Sequence, residues 1–284
     1  MKKTSQKYQS NIKPVWCPGC GDYGVLKGLQ RALADLDMAP EDIITISGIG
    51  CSGRFSHYMN TYSLHGTHGR ALPTALGAKA ARPDMNVLCV GGDGDGLGIG
   101  GGHLPHAARK NVDLTYILID NRIYGLTKGQ TSPTTPLEHR TKTAPYGAYE
   151  EPMHPISIFL SSGVSFIART SPLPMDNMID IIKKAIMHKG FSMVYVLSPC
   201  VTFPVISFKQ LKPLLKPLPE DHDPEDREGA MKLAYSESPI YTGIFYQKQK
   251  KTLGDHLANQ VERALSNTKD KDSISVKELL TSYV

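Results

Sequence analysis

No apolar run in this chain approaches the length of a membrane span. The longest, Asn86 to Val90 and Thr115 to Ile119, are far below the roughly 20 residues that a bilayer-crossing helix needs. No apolar stretch follows the basic opening Met1-Lys2-Lys3, so no secretory signal is expected, and the expected compartment is the reducing cytoplasm. The five cysteines therefore read as metal ligands or core residues rather than as disulfides. Net charge is also low: +5 over 284 residues, spread along the sequence with no basic stripe. That gives nucleic-acid binding little support and fits a mixed, solvated surface. With 40% hydrophobic residues the chain can still bury one substantial core.

Helix and strand patterns alternate from residue 22 to about 200. Asp22 is placed to cap a helix in which Val25, Leu26, Leu29, Leu33 and Leu36 recur at three- and four-residue spacing. Strands are predicted at Ile43 to Ile46, Val87 to Val90, Leu114 to Ile119, Val164 to Ala168 and Met193 to Leu197. Helices are predicted at Leu72 to Ala81, near Gly101 to Arg109 and at Met175 to His188. The strands are apolar throughout rather than at every second residue, which predicts an α/β fold with a doubly wound, mostly parallel sheet and helices on both faces. Beyond Pro204 the character changes to a stretch rich in Pro, Lys, Asp and Glu, with one terminal helix at Leu253 to Leu265. This divides the chain into a domain over 1–204 and an arm over 205–284 that packs on a partner.

In an open parallel sheet, ligands sit beyond the carboxyl ends of the strands. Gly91-Gly92-Asp93-Gly94-Asp95-Gly96 follows one strand and Asp120-Asn121 ends the next, so both reach that edge. Glycines admit phosphate oxygens close to the backbone, and Asp93 offers a hard ligand for Mg²⁺. With Asn121 and a backbone carbonyl near Ile123, it could complete octahedral coordination together with diphosphate oxygens. A glycine-rich turn alone would fit any nucleotide site, or no site. GDG followed by Asn after 26 intervening residues is the pattern of thiamine-diphosphate enzymes.

Cys17 and Cys20 form Cys-x-x-Cys just before a helix, and Cys51 and Cys200 each follow a predicted strand at the same loop edge. Thiolates in this arrangement suit zinc, a redox dithiol or an iron–sulfur cluster. Cys89 lies inside a strand and reads as a buried core residue.

Taken together, the motifs resemble the β subunit of the 2-oxoacid:ferredoxin oxidoreductases. The segments are Trp16-Cys17-Pro18-Gly19-Cys20-Gly21, Gly48-Ile49-Gly50-Cys51-Ser52, His65-Gly66-Thr67-His68-Gly69-Arg70, Gly92-Asp93-Gly94-Asp95-Gly96, Asp120-Asn121-Arg122-Ile123-Tyr124-Gly125 and Leu126-Thr127-Lys128-Gly129-Gln130-Thr131-Ser132-Pro133-Thr134. The resemblance implies the thiamine-diphosphate-binding fold, with thiamine diphosphate, Mg²⁺ and one [4Fe–4S] cluster as cofactors. It assigns Cys17, Cys20, Cys51 and Cys200 to the cluster, and Asp93, Asn121 and the Ile123 carbonyl to magnesium. It places Gly50, Cys51, Ser52, His68, Gly92, Asp93, Gly94, Asp95, Asn121, Ile123, Gly125, Leu126 and Thr127 around the organic cofactor.

The implied reaction converts a 2-oxoacid and coenzyme A into acyl-CoA and CO₂, passing two electrons through the cluster to ferredoxin. No Glu stands in a motif that could face the aminopyrimidine. By resemblance an α subunit supplies it, in an αβ heterodimer or a dimer of such dimers, and the chain alone is expected to be inactive. His68 and Arg70 are candidates for contacting diphosphate or a substrate carboxylate, although histidines of this kind also satisfy loop carbonyls. Lys128 is placed to pair with the distal carboxylate of 2-oxoglutarate, which favours that substrate over pyruvate or another 2-oxoacid. A solvated loop lysine or a diphosphate contact would leave the same sequence. Two other readings are a nonoxidative thiamine-diphosphate enzyme, which needs no cysteine set, and a zinc-stabilised binding module, which leaves the GDG-to-Asn spacing unexplained.

Overall fold

The computed structural model describes residues 4–267. Five strands follow the chain as β1 (Ile43–Ser47), β2 (Tyr62–His65), β3 (Asn86–Gly92), β4 (Leu114–Asp120) and β5 (Ile123–Tyr124). Five more are β6 (Gln130–Thr131), β7 (Phe166–Thr170), β8 (Phe191–Leu197), β9 (Leu215–Pro217) and β10 (Ile240–Gln247). Eight of these build one sheet in the order β2-β1-β3-β4-β8-β7-β10-β9, while β5 and β6 form a separate small hairpin. Every pairing in the large sheet is parallel except that of β10 with β7. Strands β4 and β8 are buried along their whole lengths, as the unbroken apolar pattern predicts.

The pleat sends alternate residues to opposite faces. Val87 and Cys89 join one core with Tyr116 and Leu118, whereas Leu88 and Val90 join a second with Ile117 and Ile119. The second core is roofed by α1 (Gly21–Asp35) and by a helix over Met175–Met187, which pack on each other. The first is roofed by helices over Ala71–Ala81, Leu104–Lys110, Pro155–Ser161 and Arg227–Ala234, giving three layers.

Three expectations change. Cys20, not Asp22, stands at the N-cap of α1, without a capping side-chain bond, and Asp22 is buried in the first turn. The strand expected at Val164 to Ala168 lies at Phe166–Thr170, because the preceding helix ends in a turn at Gly163, where φ is +84°. Edge strand β2 was not expected at all, since all four of its residues are exposed and show no apolar alternation.

The stretch beyond Pro204 also differs from the expectation of an arm outside the core. Leu211, Ala230, Ala234, Ile240, Phe245 and Tyr246 share the first core, and β10 extends the sheet beside β7. The charged composition of 209–228 masked those apolar anchors. The terminal helix runs over Leu253–Asn267, and the remainder of the expected arm, 268–284, lies outside the described residues.

Asn111 joins several of these pieces. It takes the left-handed conformation that ends the Leu104–Lys110 helix, at φ 49° and ψ 46°. Its Oδ1 accepts from the Phe191 amide at 2.9 Å and the Ser165 hydroxyl at 2.6 Å. Its Nδ2 donates to the Lys251 carbonyl at 3.2 Å. Asn111→Ala orphans a buried amide and places a less tolerant residue at positive φ. It should cost about 2–4 kcal/mol, read as a lower urea midpoint with an unchanged slope.

Candidate active site at the strand ends

Strands β1, β3, β4 and β8 are consecutive neighbours in the sheet and point the same way. Four loops distant in sequence therefore emerge side by side, carrying Cys51, Asp93, Asn121 and Cys200. Between the first three lies a cavity of about 130 Å³. Gly50, Cys51, Ser52, His68, Gly92, Asp93, Gly94, Asp95, Asn121, Ile123, Gly125, Leu126 and Thr127 all line it. Asp22, Ile49, Ile119 and Tyr124 line it too, and sequence reasoning did not place them there.

Asp95 holds this cavity's loops together. Its Oδ1 accepts from the Ile49 amide at 2.9 Å, the Gly69 amide at 2.8 Å and His68 Nδ1 at 2.8 Å. With Nδ1 donating, the other ring nitrogen of His68 is the one free to accept. A Cβ at Gly48 would fall 1.9 Å from Asp95 Oδ2, so only glycine lets that backbone approach.

Asp93 is 2% exposed and lies near a second buried carboxylate, Asp120. Thr134 stands between them, its hydroxyl 3.2 Å from Asp93 Oδ2 and 2.8 Å from Asp120 Oδ1, and the Tyr195 hydroxyl donates to Asp120 Oδ2. Burial first, and then the Asp120 charge, hold the Asp93 carboxyl well above its ordinary range. Two buried carboxylates this close favour a cation beside them. Asn121 Oδ1 accepts from the Ile123 amide at 3.0 Å, which fixes the loop while leaving the oxygen a second lone pair. The residues present thus fit a hard divalent ion.

The four cysteines are free thiols, and Cys89 is the fully buried fifth. Cys20 feels the charges of Cys51 and Cys200, and Cys51 those of Cys200 and Cys17. A Cβ on Gly125 would lie 3.4 Å from Cys200 Sγ and 4.0 Å from Cys51 Sγ. Trp16 Nε1 donates to the Cys51 carbonyl at 2.8 Å, pinning the Cys-x-x-Cys turn to the β1 loop. The Thr202 hydroxyl donates to Cys17 Sγ at 3.1 Å and the Phe203 amide to Cys200 Sγ at 3.4 Å. Among the described residues no three His, Cys, Asp or Glu groups gather around a single metal ion. Soft donors, converging and without disulfides, fit thiolate chemistry with iron in a cluster.

Two sequence candidates fall elsewhere. Arg70 turns away, its Nη1 3.4 Å from the Ile99 carbonyl and 3.2 Å from His103 Nε2, and it does not line the cavity. Lys128 is exposed at φ +76° in a turn just beyond Leu126 and Thr127, and it does not line the cavity.

Residues 48–196 match the family described as thiamine pyrophosphate enzyme, C-terminal TPP binding domain. Residues 200–261 match the family described as the C terminal of the pyruvate ferredoxin oxidoreductase beta subunit. A 2-oxoacid:ferredoxin oxidoreductase subunit beta of Saccharolobus solfataricus is 40% identical over 288 residues, 95% of this chain and 93% of the relative. The chain belongs to the β subunits of the 2-oxoacid:ferredoxin oxidoreductases. Another relative of this β subunit, 2-oxoglutarate synthase subunit KorB of Methanocaldococcus jannaschii, is 43% identical over 195 residues, 69% of this chain and 72% of the relative. A solved 2-oxoglutarate:ferredoxin oxidoreductase from Magnetococcus marinus, with 2-oxoglutarate, coenzyme A and succinyl-CoA bound, superposes with a TM-score of 0.92. It is 41% identical, and the match covers 99% of this chain and 96% of that one.

Asp22 lines the cavity of this β subunit beside Cys51 and lies next to Cys20. Burial raises its carboxyl from the usual 3.8 to about 7, with the Cys20 thiol as its hydrogen-bond partner. Burial and then Asp22 in turn raise Cys20, and they push Cys51 up to about 11. Below 3.8 the Asp22 carboxyl is neutral in both folded and unfolded chains. Between 3.8 and about 7 the unfolded chain ionises first, so stability falls as pH rises through that window. Asp22→Asn is neutral at every pH. Its melting temperature should exceed that of the parent at about pH 8, with the gap narrowing toward pH 4; a gap independent of pH would refute the buried acid.

Proposed function

We propose that this chain is the thiamine-diphosphate- and cluster-binding half of a 2-oxoglutarate:ferredoxin oxidoreductase. Such an enzyme interconverts 2-oxoglutarate, coenzyme A and oxidised ferredoxin with succinyl-CoA, CO₂ and reduced ferredoxin. The observation that carries this reading is the shared wall: Cys51 lines the cavity around Asp93 and Asn121 and also belongs to the converging cysteine set. The substrate assignment is supported by the 2-oxoglutarate named for the Methanocaldococcus and Magnetococcus relatives.

Bound thiamine diphosphate supplies the electron sink for decarboxylation, and a [4Fe–4S] cluster supplies the outlet for two electrons. In the proposed site Asp93, Asn121 and the Ile123 carbonyl hold Mg²⁺ against the diphosphate. Gly92, Gly94, Asp95, Gly50, Ser52, Gly125, Leu126 and Thr127 shape the cradle, and the loops tied by Asp95 keep His68 in one tautomer facing it. Cys17, Cys20, Cys51 and Cys200 hold the cluster, and Asp22 keeps an acid beside the thiolates. Arg70 is withdrawn from the catalytic set, because its guanidinium is engaged with the 99–103 loop.

Partners follow from what the chain leaves open. Among the described residues no Glu lines the cavity, which supports an α subunit completing it. Leu257 and Val261 stand exposed one helical turn apart on the terminal helix, at 50% and 57%, which supports that helix as a docking element for the partner. Ferredoxin, and residence in the cytoplasm, belong to the same proposal.

Cys200→Ala should abolish iron and sulfide binding and the visible absorbance that bleaches on reduction, while thiamine diphosphate affinity stays within about threefold of the parent. Retention of a full complement of iron would remove Cys200 from the ligand set, and zinc in place of iron would overturn the redox reading.

Lys128→Gly tests substrate choice without strain, since the position already has a φ that glycine prefers. A lost charge-assisted contact of about 1.5–3 kcal/mol should raise KM for 2-oxoglutarate roughly tenfold or more and leave KM for pyruvate nearly unchanged. Equal effects on both substrates would sink the assignment.

A further inference from the structure

A second cavity of about 100 Å³ lies at the ends of β7 and β8, under the loop that leads to the Pro155–Ser161 helix. Arg169, Arg122, His154 and Tyr195 line it, together with Thr134 and the exposed acid Glu237. Arg169 is 7% exposed and comes from the middle of the sheet, where a guanidinium is costly to bury. Its compensation is incomplete. Nε donates to the Tyr241 carbonyl at 2.6 Å, Nη1 reaches the Ala234 carbonyl at 3.5 Å, and the group sits 4.9 Å over the Phe245 ring. Nη2 is buried and has no hydrogen-bond partner. No carboxylate pairs with Arg169 or Arg122 among the described residues, although Glu237 is on the same wall.

Arg122 adds a second guanidinium, close enough for its charge to act on Arg169. It is held at φ +63°, its amide donating to Asp120 Oδ1 at 2.7 Å, so the backbone adopts an unfavoured conformation just where the side chain is delivered to this cavity. Two arginines with no carboxylate partner line one cavity, one with an unused buried donor, and guanidiniums are the side chains whose donors suit oxyanions.

We propose that this cavity is a second ligand site of the chain, binding a small oxyanion, phosphate or a short carboxylate, between Arg169 and Arg122. It does not overlap the cavity that holds Asp93, yet Thr134 forms part of its wall and bonds to Asp93. An anion here therefore sits one side chain away from the carboxylate pair.

The test uses the full chain and follows thermal unfolding in inorganic phosphate, in succinate and in chloride at matched ionic strength. A saturating oxyanion should raise the melting temperature by about 2–4 °C over chloride. A response to phosphate alone assigns the site to phosphate, a response to succinate alone assigns it to carboxylates, and both results support the proposal. Arg169→Gln and Arg122→Gln should each remove the shift, and Arg122→Lys should restore part of it. Should Arg169→Gln fail to fold, Arg122→Gln decides alone. The absence of any shift over chloride, or an undiminished shift in Arg122→Gln, overturns the proposal. The latter would place the anion in the first cavity, which Arg122 does not line.

Discussion

Four adjacent strands running the same way determine where Cys51, Asp93, Asn121 and Cys200 can stand. Parallel neighbours lie about 4.8 Å apart, and their C-terminal loops must leave the sheet at one edge. Because β1, β3, β4 and β8 are contiguous, residues 51, 93, 121 and 200 reach that edge as neighbours, although almost 150 positions separate the first from the last. No local feature of any one loop could achieve this. The site depends on the register of the sheet, which in turn rests on strands buried on both faces, so its geometry is inseparable from the core.

Buried charge then divides the edge into two regions of opposite sign. Asp22, Asp93 and Asp95 surround the first cavity, and all three are at most 4% exposed. Arg122 and Arg169 face the second. Thr134, Asp120 and Tyr195 form the partition, and their hydrogen bonds let the two fields lie close together without collapsing into an ion pair. Had Arg169 paired with Asp120, the carboxylate beside Asp93 would be neutralised and the demand for a cation there reduced.

The parts legible in the sequence were those with a one-dimensional signature. Unbroken apolar runs marked β3, β4 and β8, and the GDG-to-Asn spacing brought Asp93 and Asn121 to one edge. Cys51 and Cys200 were placed beside them because each follows a strand. What escaped has equally physical reasons. Asp22 looked like a helix cap, because an acid in a first turn usually faces water, and only the tertiary placement of α1 beside the β1 loop buries it. β2 has no apolar alternation, and β10 was hidden behind a charged stretch. Arg70 stands in a motif with His68, but Gly69 between them, at φ +70°, turns the backbone so that the two side chains leave in different directions. His68 turns inward to Asp95 and Arg70 outward to His103.

Cys51 belongs at once to the cysteine set and to the wall of the cavity. Under the proposed function one side chain serves two chemistries, and no substitution at that position can report on either alone. Genetic dissection must work from the periphery, at Cys200 on one side and Asp93 on the other. Under the same proposal, loss of the cysteine set would also remove part of the cavity wall, so neither chemistry could be discarded without reshaping the other's site.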